Sequence, residues 1–283
     1  MKSEQLAWFI KRHGIEMTHL SHGSHIGSIL SVADIVAVLY NDVANITPLN
    51  VKDENRDRIV LSKGHAGAAI YAALAEKGFF PVEELKTHYA DGSRLSGHVS
   101  HKGIPGVEIS TGSLGHGACM ACGIALNAKL EKMPYYTYAI VGDGECDEGS
   151  IWEMALFANH FKLNQFVVIV DHNKMQSLDY CENTLALSPF AEKWKAFGWN
   201  VYDIDGHNHD ELRNALNDAK KSQDKPTVII ANTVKGNGIS FMENDILWHY
   251  RFPHEGEEYD GALKELHAVM PEGVTDPDEE VKE

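Results

Sequence analysis

The chain has 283 residues, with 41 acidic and 25 basic side chains and a formal net charge of −16. That balance argues against a nucleic-acid binder and makes an anionic membrane surface a poor partner. Apolar residues make up 43% of the chain, enough for a sizeable core and too many for disorder, and four cysteines are too few for a disulfide scaffold.

No leader peptide and no run of eighteen apolar residues is visible, so the expected setting is reducing and cytoplasmic. In chain order, Glu4–His13 reads as a short helix, followed by the polar turn Ser21-His22-Gly23-Ser24-His25-Ile26-Gly27. Ser31 and Asp34 resemble a capping box ahead of helical spacing at Ile35, Val38 and Leu39. Arg56–Leu61 reads as a strand leading into Ser62-Lys63-Gly64-His65-Ala66-Gly67 and an alanine-rich helix to about Lys77. Phe79–Leu85 turns through Pro81 into another helix, and residues 93–117 are glycine-rich and irregular. A small-residue helix over Ala118–Leu130 precedes the strand Tyr136–Val141 and the turn Gly142-Asp143-Gly144-Glu145. Ser150 and Glu153 form a second capping box. Phe166–Val170 is the most apolar strand, with Asp171-His172-Asn173 at its end. A helix after Ser188-Pro189-Phe190, the strand Asn200–Ile204, the polar helix Asp210–Lys220 and the strand Thr227–Asn232 complete the alternation.

Apolar strands alternating with amphipathic helices predict an α/β fold, a mostly parallel central sheet with helices on both faces. One domain over residues 1–271 is expected, with an acidic, frayed tail over 272–283. Ligands of such sheets bind beyond the carboxyl ends of the strands, where the loops 142–145, 171–176 and 233–238 fall. If the strands before Asp143 and Asn173 are neighbours, a carboxylate and an amide oxygen can reach one hard cation such as Mg²⁺. The plainer alternative is that Asp143 caps the next helix and Asn173 shapes a turn. Gly142-Asp143-Gly144 is neither a dinucleotide fingerprint nor a P-loop, since the third glycine and the Gly-Lys-Ser/Thr step are missing.

Gly142-Asp143-Gly144 followed by Asn173 after the next strand resembles the thiamine diphosphate motif. Other segments resemble the N-terminal half of transketolase, in that family's order. They are Ser24-His25-Ile26-Gly27, Leu61 through His65, Gly97-His98, Pro105 through Glu108, Thr111 through Gly117 and Gly142 through Gly149. The resemblance implies a thiamine diphosphate-binding fold and ketol transfer between small anionic sugars. It implies that Asp143, Asn173 and the Met175 carbonyl bind Mg²⁺, or Ca²⁺ or Mn²⁺ in its place. His65, Gly142, Gly144, Glu145 and His249 would lie near the cofactor's diphosphate or thiazolium, with Gly112, Ser113 and Leu114 as a wall beside its rings. His25, His65, His98 and His249 would serve catalysis, and Glu148 and Glu153 would sit at a subunit interface. His116 and His207 stay open between site and structure, whereas His13, His101 and His160 are expected at the surface.

Ile26 and Val99 stand where the family usually has proline, and Asp179-Tyr180 where it has Asp-Gly, so the sugar is expected to be non-standard. The family's pyrimidine-binding domain, with its activating glutamate, is expected to reside in another chain. The expectation is therefore one part of a split enzyme, inactive alone, dimerising within a heterotetramer that includes a separate C-terminal subunit. The alternatives are a 1-deoxyxylulose-phosphate synthase-like enzyme, a decarboxylating enzyme and a non-catalytic diphosphate-binding module. Cys119 and Cys122 lack a second ligand pair and are expected to pack rather than bind zinc.

Overall fold

The computed structural model describes residues 1–276. Five strands form one all-parallel sheet: β1 (Arg58–Leu61), β2 (Thr137–Gly142), β3 (Phe166–His172), β4 (Asn200–Asp205) and β5 (Thr227–Asn232). Their order is β1-β2-β3-β5-β4. Each lies within two residues of its predicted run. The apolar segments of β2, β3 and β5 are buried on both faces of the sheet, whereas the edge strand β4 is only half-buried, with Asp203 and Asp205 exposed.

The helices are α1 (Ser3–Ser21), α2 (Ile26–Val38), α3 (Gly67–Glu76), α4 (His116–Leu130), α5 (Gly149–His160), α6 (Cys181–Thr184), α7 (Phe190–Ala196), α8 (His209–Ala219) and α9 (Glu257–Ala268). Alternation along the strands divides the core. Ile59, Tyr138, Ile140, Val167, Ile169 and Ile229 pack with α1, α2, α3, α8 and α9. Val60, Ala139, Val141, Val168, Val170 and Ile230 pack with α4, α5 and α7 on the other face. The run Ile26–Val43 is apolar and long enough by composition to cross a membrane, but 89% of it is buried inside this fold.

Several local expectations change. α1 continues through Gly14 to Ser21, and His13 is buried rather than exposed, its Nε2 2.7 Å from Glu76 Oε1. His101 and His160 are exposed as expected. Ser31 and Asp34 do not cap a helix; both lie inside α2, where their polar atoms meet partners from distant loops. Glu148, not Ser150, is the N-cap of α5, and Ser150 Oγ instead donates to the Gly115 carbonyl at 3.1 Å. Residues Val82–Thr87 form a 3₁₀ turn in place of the helix expected after Pro81. The tail is not frayed at its start: Gln5 donates to the Glu272 carbonyl at 2.9 Å, and Asp276 is buried. Residues 277–283 of that predicted tail lie outside the described residues.

Candidate active site

β2 and β3 are neighbours, with Gly142 opposite Asp171, so the residues just past them share one end of the sheet. The loop after β5 joins them on one side and the loop after β1 on the other. Together they line a cavity of about 230 Å³ at the carboxyl ends of the strands. β1 contributes a fourth loop, Ser62–His65. It can pack this closely because Gly64 has no side chain; a Cβ there would sit 2.4 Å from the Thr111 carbonyl oxygen.

The floor is a buried polar network. Asp143 is 2% exposed; its carboxylate accepts from the Gly144 N–H at 2.8 Å and from the Lys174 N–H. Asn173 Oδ1 accepts from the Met175 N–H at 3.1 Å. The capping and turn roles are therefore real, and the same two side chains face the cavity. Burial raises the Asp143 pKa, which His172 and the two backbone donors offset and Asp171 reinforces. Among the described residues, no side-chain cation forms an ion pair with Asp143. No three His, Cys, Asp or Glu side chains converge as a metal cluster there, so any cation must rely on amide and carbonyl oxygens as well.

Beneath these residues Asp171, fully buried, contacts Lys63 Nζ, Thr233 Oγ1, Ser31 Oγ at 2.6 Å and Asn173 Nδ2 at 3.3 Å. Burial opposes its charge, but Lys63 and the hydroxyl donors hold its pKa below the usual carboxylate range. Glu145 is tied in as well, accepting from Ser62 Oγ and from the Gly115 and Gly142 N–H groups. Burial raises its pKa against those donors.

The rim is made of imidazoles. The His25 ring lies 5.1, 5.6 and 4.9 Å from those of His65, His98 and His249, centre to centre. His25 has φ 78°, left-handed for a residue with a side chain, and its N–H donates to the His249 carbonyl at 2.9 Å. Burial, then the neighbouring His98, Lys235 and Lys63, push the His25 pKa down to about 4. Burial and Lys235 push His249 down to about 3, and burial lowers His65 and His98. All four rings are neutral at neutral pH.

Lys235 joins floor and rim. Its buried Nζ donates to the Gln176 carbonyl at 2.9 Å, the Met175 carbonyl at 3.3 Å and His249 Nδ1 at 2.9 Å. An ammonium only donates, so Nδ1 of His249 is the acceptor and its proton is on Nε2. Burial and Lys63 push the Lys235 pKa down to about 8.

The cavity thus gathers His25, His65, His98, His249, Gly112, Leu114, Gly142, Asp143, Gly144, Glu145, Asn173 and Met175. Ser113 is exposed outside it, as is His116. His207 belongs elsewhere: Nδ1 is 2.8 Å from Asp34, and Nε2 accepts from the Val234 N–H. Glu148 and Glu153 are exposed, the latter on an α4–α5 face with Cys119, Gly123 and Phe157. Cys119 and Cys122 are free thiols on α4, with pKa values raised by burial, as a packing role requires. Lys63, Asp171, Lys235, Ser28, Gln176 and Tyr250 were not anticipated. Lys63 and Lys235 each precede a glycine in a strand-end loop, Ser62-Lys63-Gly64 and Val234-Lys235-Gly236, and that pairing is the signal that could have found them.

Residues 4–250 match the family described as transketolase, thiamine diphosphate binding domain. The chain belongs to the transketolase family. It is 45% identical over 225 residues to the 6-deoxy-6-sulfo-D-fructose transketolase subunit of a Clostridium species, covering 80% of this chain and 82% of that one. It is 37% identical over 252 residues to an apulose-4-phosphate transketolase subunit of Phocaeicola vulgatus, covering 89% of each. The solved transketolase from Leishmania mexicana superposes with a TM-score of 0.88 at 28% identity, over 98% of this chain but 43% of that one. The chain is therefore subunit-sized, corresponding to the N-terminal, cofactor-binding part of a transketolase.

Proposed function

We propose that this chain, with a separate C-terminal subunit carrying the pyrimidine-binding domain, transfers a two-carbon ketol unit from a ketose to an aldose. The observation that carries the reading is the joining of four neutral imidazoles to the Asp143–Asn173 floor in one cavity. Thiamine diphosphate would supply the carbanion and the electron sink for carbon–carbon cleavage. The donor set fits it. Asp143 is a buried carboxylate with no side-chain ion pair among the described residues, Asn173 adds an amide oxygen, and the Met175 carbonyl lies at the same wall. Hard oxygens of this kind suit Mg²⁺, or Ca²⁺ or Mn²⁺, with diphosphate oxygens completing the shell. Lys235, a buried cation in no ion pair with a carboxylate among the described residues, offsets diphosphate charge.

In this reading the rim handles the sugar. His249, with Nδ1 occupied by Lys235, offers its Nε2 proton to an oxygen that gains negative charge. His25 Nδ1 is buried without a hydrogen-bond partner among the described residues and is available to a hydroxyl. His98 faces the same space, and neutral imidazoles can give or take a proton as hydroxyls change state. The Clostridium and Phocaeicola relatives are named for a sulfonated and a phosphorylated sugar, which supports a small anionic substrate. Self-association to a dimer within a heterotetramer is supported by exposed Phe157, which shares the α4–α5 face with Glu153, and by exposed Phe161, whose ring lies 4.4 Å from that of Phe157. The free cysteines suit a cytoplasmic setting.

The test is ketol transfer from ketose phosphate and sulfonate donors, assayed on the C-terminal subunit, on this chain and on their mixture. Activity in the mixture alone is expected. Transfer by this chain without a partner, or none with any donor in the mixture, contradicts the proposal.

A further inference from the structure

An asparagine amide can turn either end toward a ligand, and only its oxygen can bind a cation. At Asn173 the surroundings leave one choice. Met175 N–H, 3.1 Å from one end, can only donate, so that end is the oxygen. Asp171 Oδ2 lies 3.3 Å from the other end. Asp171 contacts the Lys63 ammonium and the Ser31 and Thr233 hydroxyls, so its oxygens act as acceptors and the facing amide end is the NH₂ group. Ser31 closes the loop. Its hydroxyl donates to Asp171 at 2.6 Å, and its oxygen lies 3.4 Å from Asn173 Nδ2. A flipped amide would set oxygen against carboxylate and NH₂ against N–H, losing both contacts.

We infer that Asp171, which does not itself line the cavity, is a positioning residue that fixes the Asn173 amide with its oxygen available to the metal ion. This rests on the proposed reading of Asn173 as a ligand. Lys63 keeps Asp171 in place: both are nearly inaccessible, at 1% and 0% side-chain exposure. Ser31 explains why a serine stands in the middle of α2, where local pattern alone suggests a cap. The binding floor therefore extends one layer below the ligands, and it couples α2, β3 and the loops after β1 and β5.

The test measures Mg²⁺-dependent thiamine diphosphate affinity by calorimetry, on the complex with the C-terminal subunit. The variants are Asp171→Asn, Asn173→Ala and the double variant. Asn173→Ala should weaken binding strongly while leaving it measurable at high Mg²⁺ and cofactor concentrations, the conditions used for the whole series; unchanged affinity there overturns the ligand reading itself. Asp171→Asn alone should weaken binding by about 10–100-fold, the usual effect of losing a partner that orients a ligand. Added to Asn173→Ala it should cause no further loss, because no amide is left to orient. A merely structural Asp171 would lower affinity further in the Asn173→Ala background. That result, or wild-type affinity in Asp171→Asn, overturns the proposal while leaving the ligand reading intact. Should Asp171→Asn fail to fold with Lys63 unpaired, Ser31→Ala removes one link and keeps the ion pair. It should weaken binding roughly threefold, again only when Asn173 is present.

Discussion

At the floor of the cavity each oxygen of Asp171 meets a donor, and Asp143 and Asn173 are held by backbone N–H groups. At the rim, His25 Nδ1 is buried with no hydrogen-bond partner among the described residues, and so is His88 Nε2 in the small cavity behind it. His25 also sits in a left-handed backbone conformation. The floor resembles a preorganised cation site, whose ligand oxygens must not move. The rim keeps hydrogen-bonding capacity unspent, which a polyhydroxylated substrate can use. Strain and unmet polar atoms belong where a changing ligand will meet them.

Four substitutions or conditions should separate the two regions. The largest effect is expected from Asp143→Ala, which should abolish Mg²⁺-dependent thiamine diphosphate binding while leaving the circular dichroism spectrum unchanged. Retained affinity would remove the floor from cofactor binding. Next, His98→Ala should lower ketol transfer by roughly 10²–10³-fold, the scale of one lost transition-state donor, with little change in cofactor affinity. Steady-state kinetics beside calorimetry reads this; equal losses in both would erase the distinction between floor and rim. Lys235→Met should weaken cofactor binding by about tenfold, within the range of one charge-assisted hydrogen bond. It should also reduce turnover through His249, whose tautomer it no longer sets.

The smallest effect concerns pH. Histidines have an ordinary pKa of about 6.5 when unfolded. In the fold, burial pushes His25 and His88 down to about 4 and His249 down to about 3. Between those values the unfolded chain binds more protons, so stability falls with pH below about 6.5 and stops falling below about 3 from this source. The midpoint of thermal unfolding, followed across that window, should decline less steeply in His88→Phe. An identical slope would mean that His88 does not stay neutral in the fold.

The sheet was legible because β2, β3 and β5 are nearly continuous buried apolar runs, and because glycine marks several of the loops that follow; the edge strand β4, interrupted by Asp203, carries the weaker signal. The pairing of Asp143 with Asn173 was legible too, once β2 and β3 proved adjacent. What local pattern could not reveal were partners from far along the chain. Ser31 and Asp34 have the spacing of a cap, yet Ser31 meets Asp171, 140 positions away, and Asp34 meets His207 and His209. Lys63 and Lys235 resemble surface charges in a sequence, but both are 1% exposed here. His13 follows the same rule: its Nε2 lies 2.7 Å from Glu76 of α3, a partner 63 positions away.

Metal dependence of cofactor binding by the unmodified protein is the most direct test of the floor. Thiamine diphosphate would be titrated into the two-subunit complex in Mg²⁺ and again after chelation. Saturable binding in Mg²⁺ that disappears on chelation and returns with Mg²⁺ is the predicted result. Equal affinity in both conditions would contradict it, because the Asp143–Asn173 floor would then hold no cation for the diphosphate.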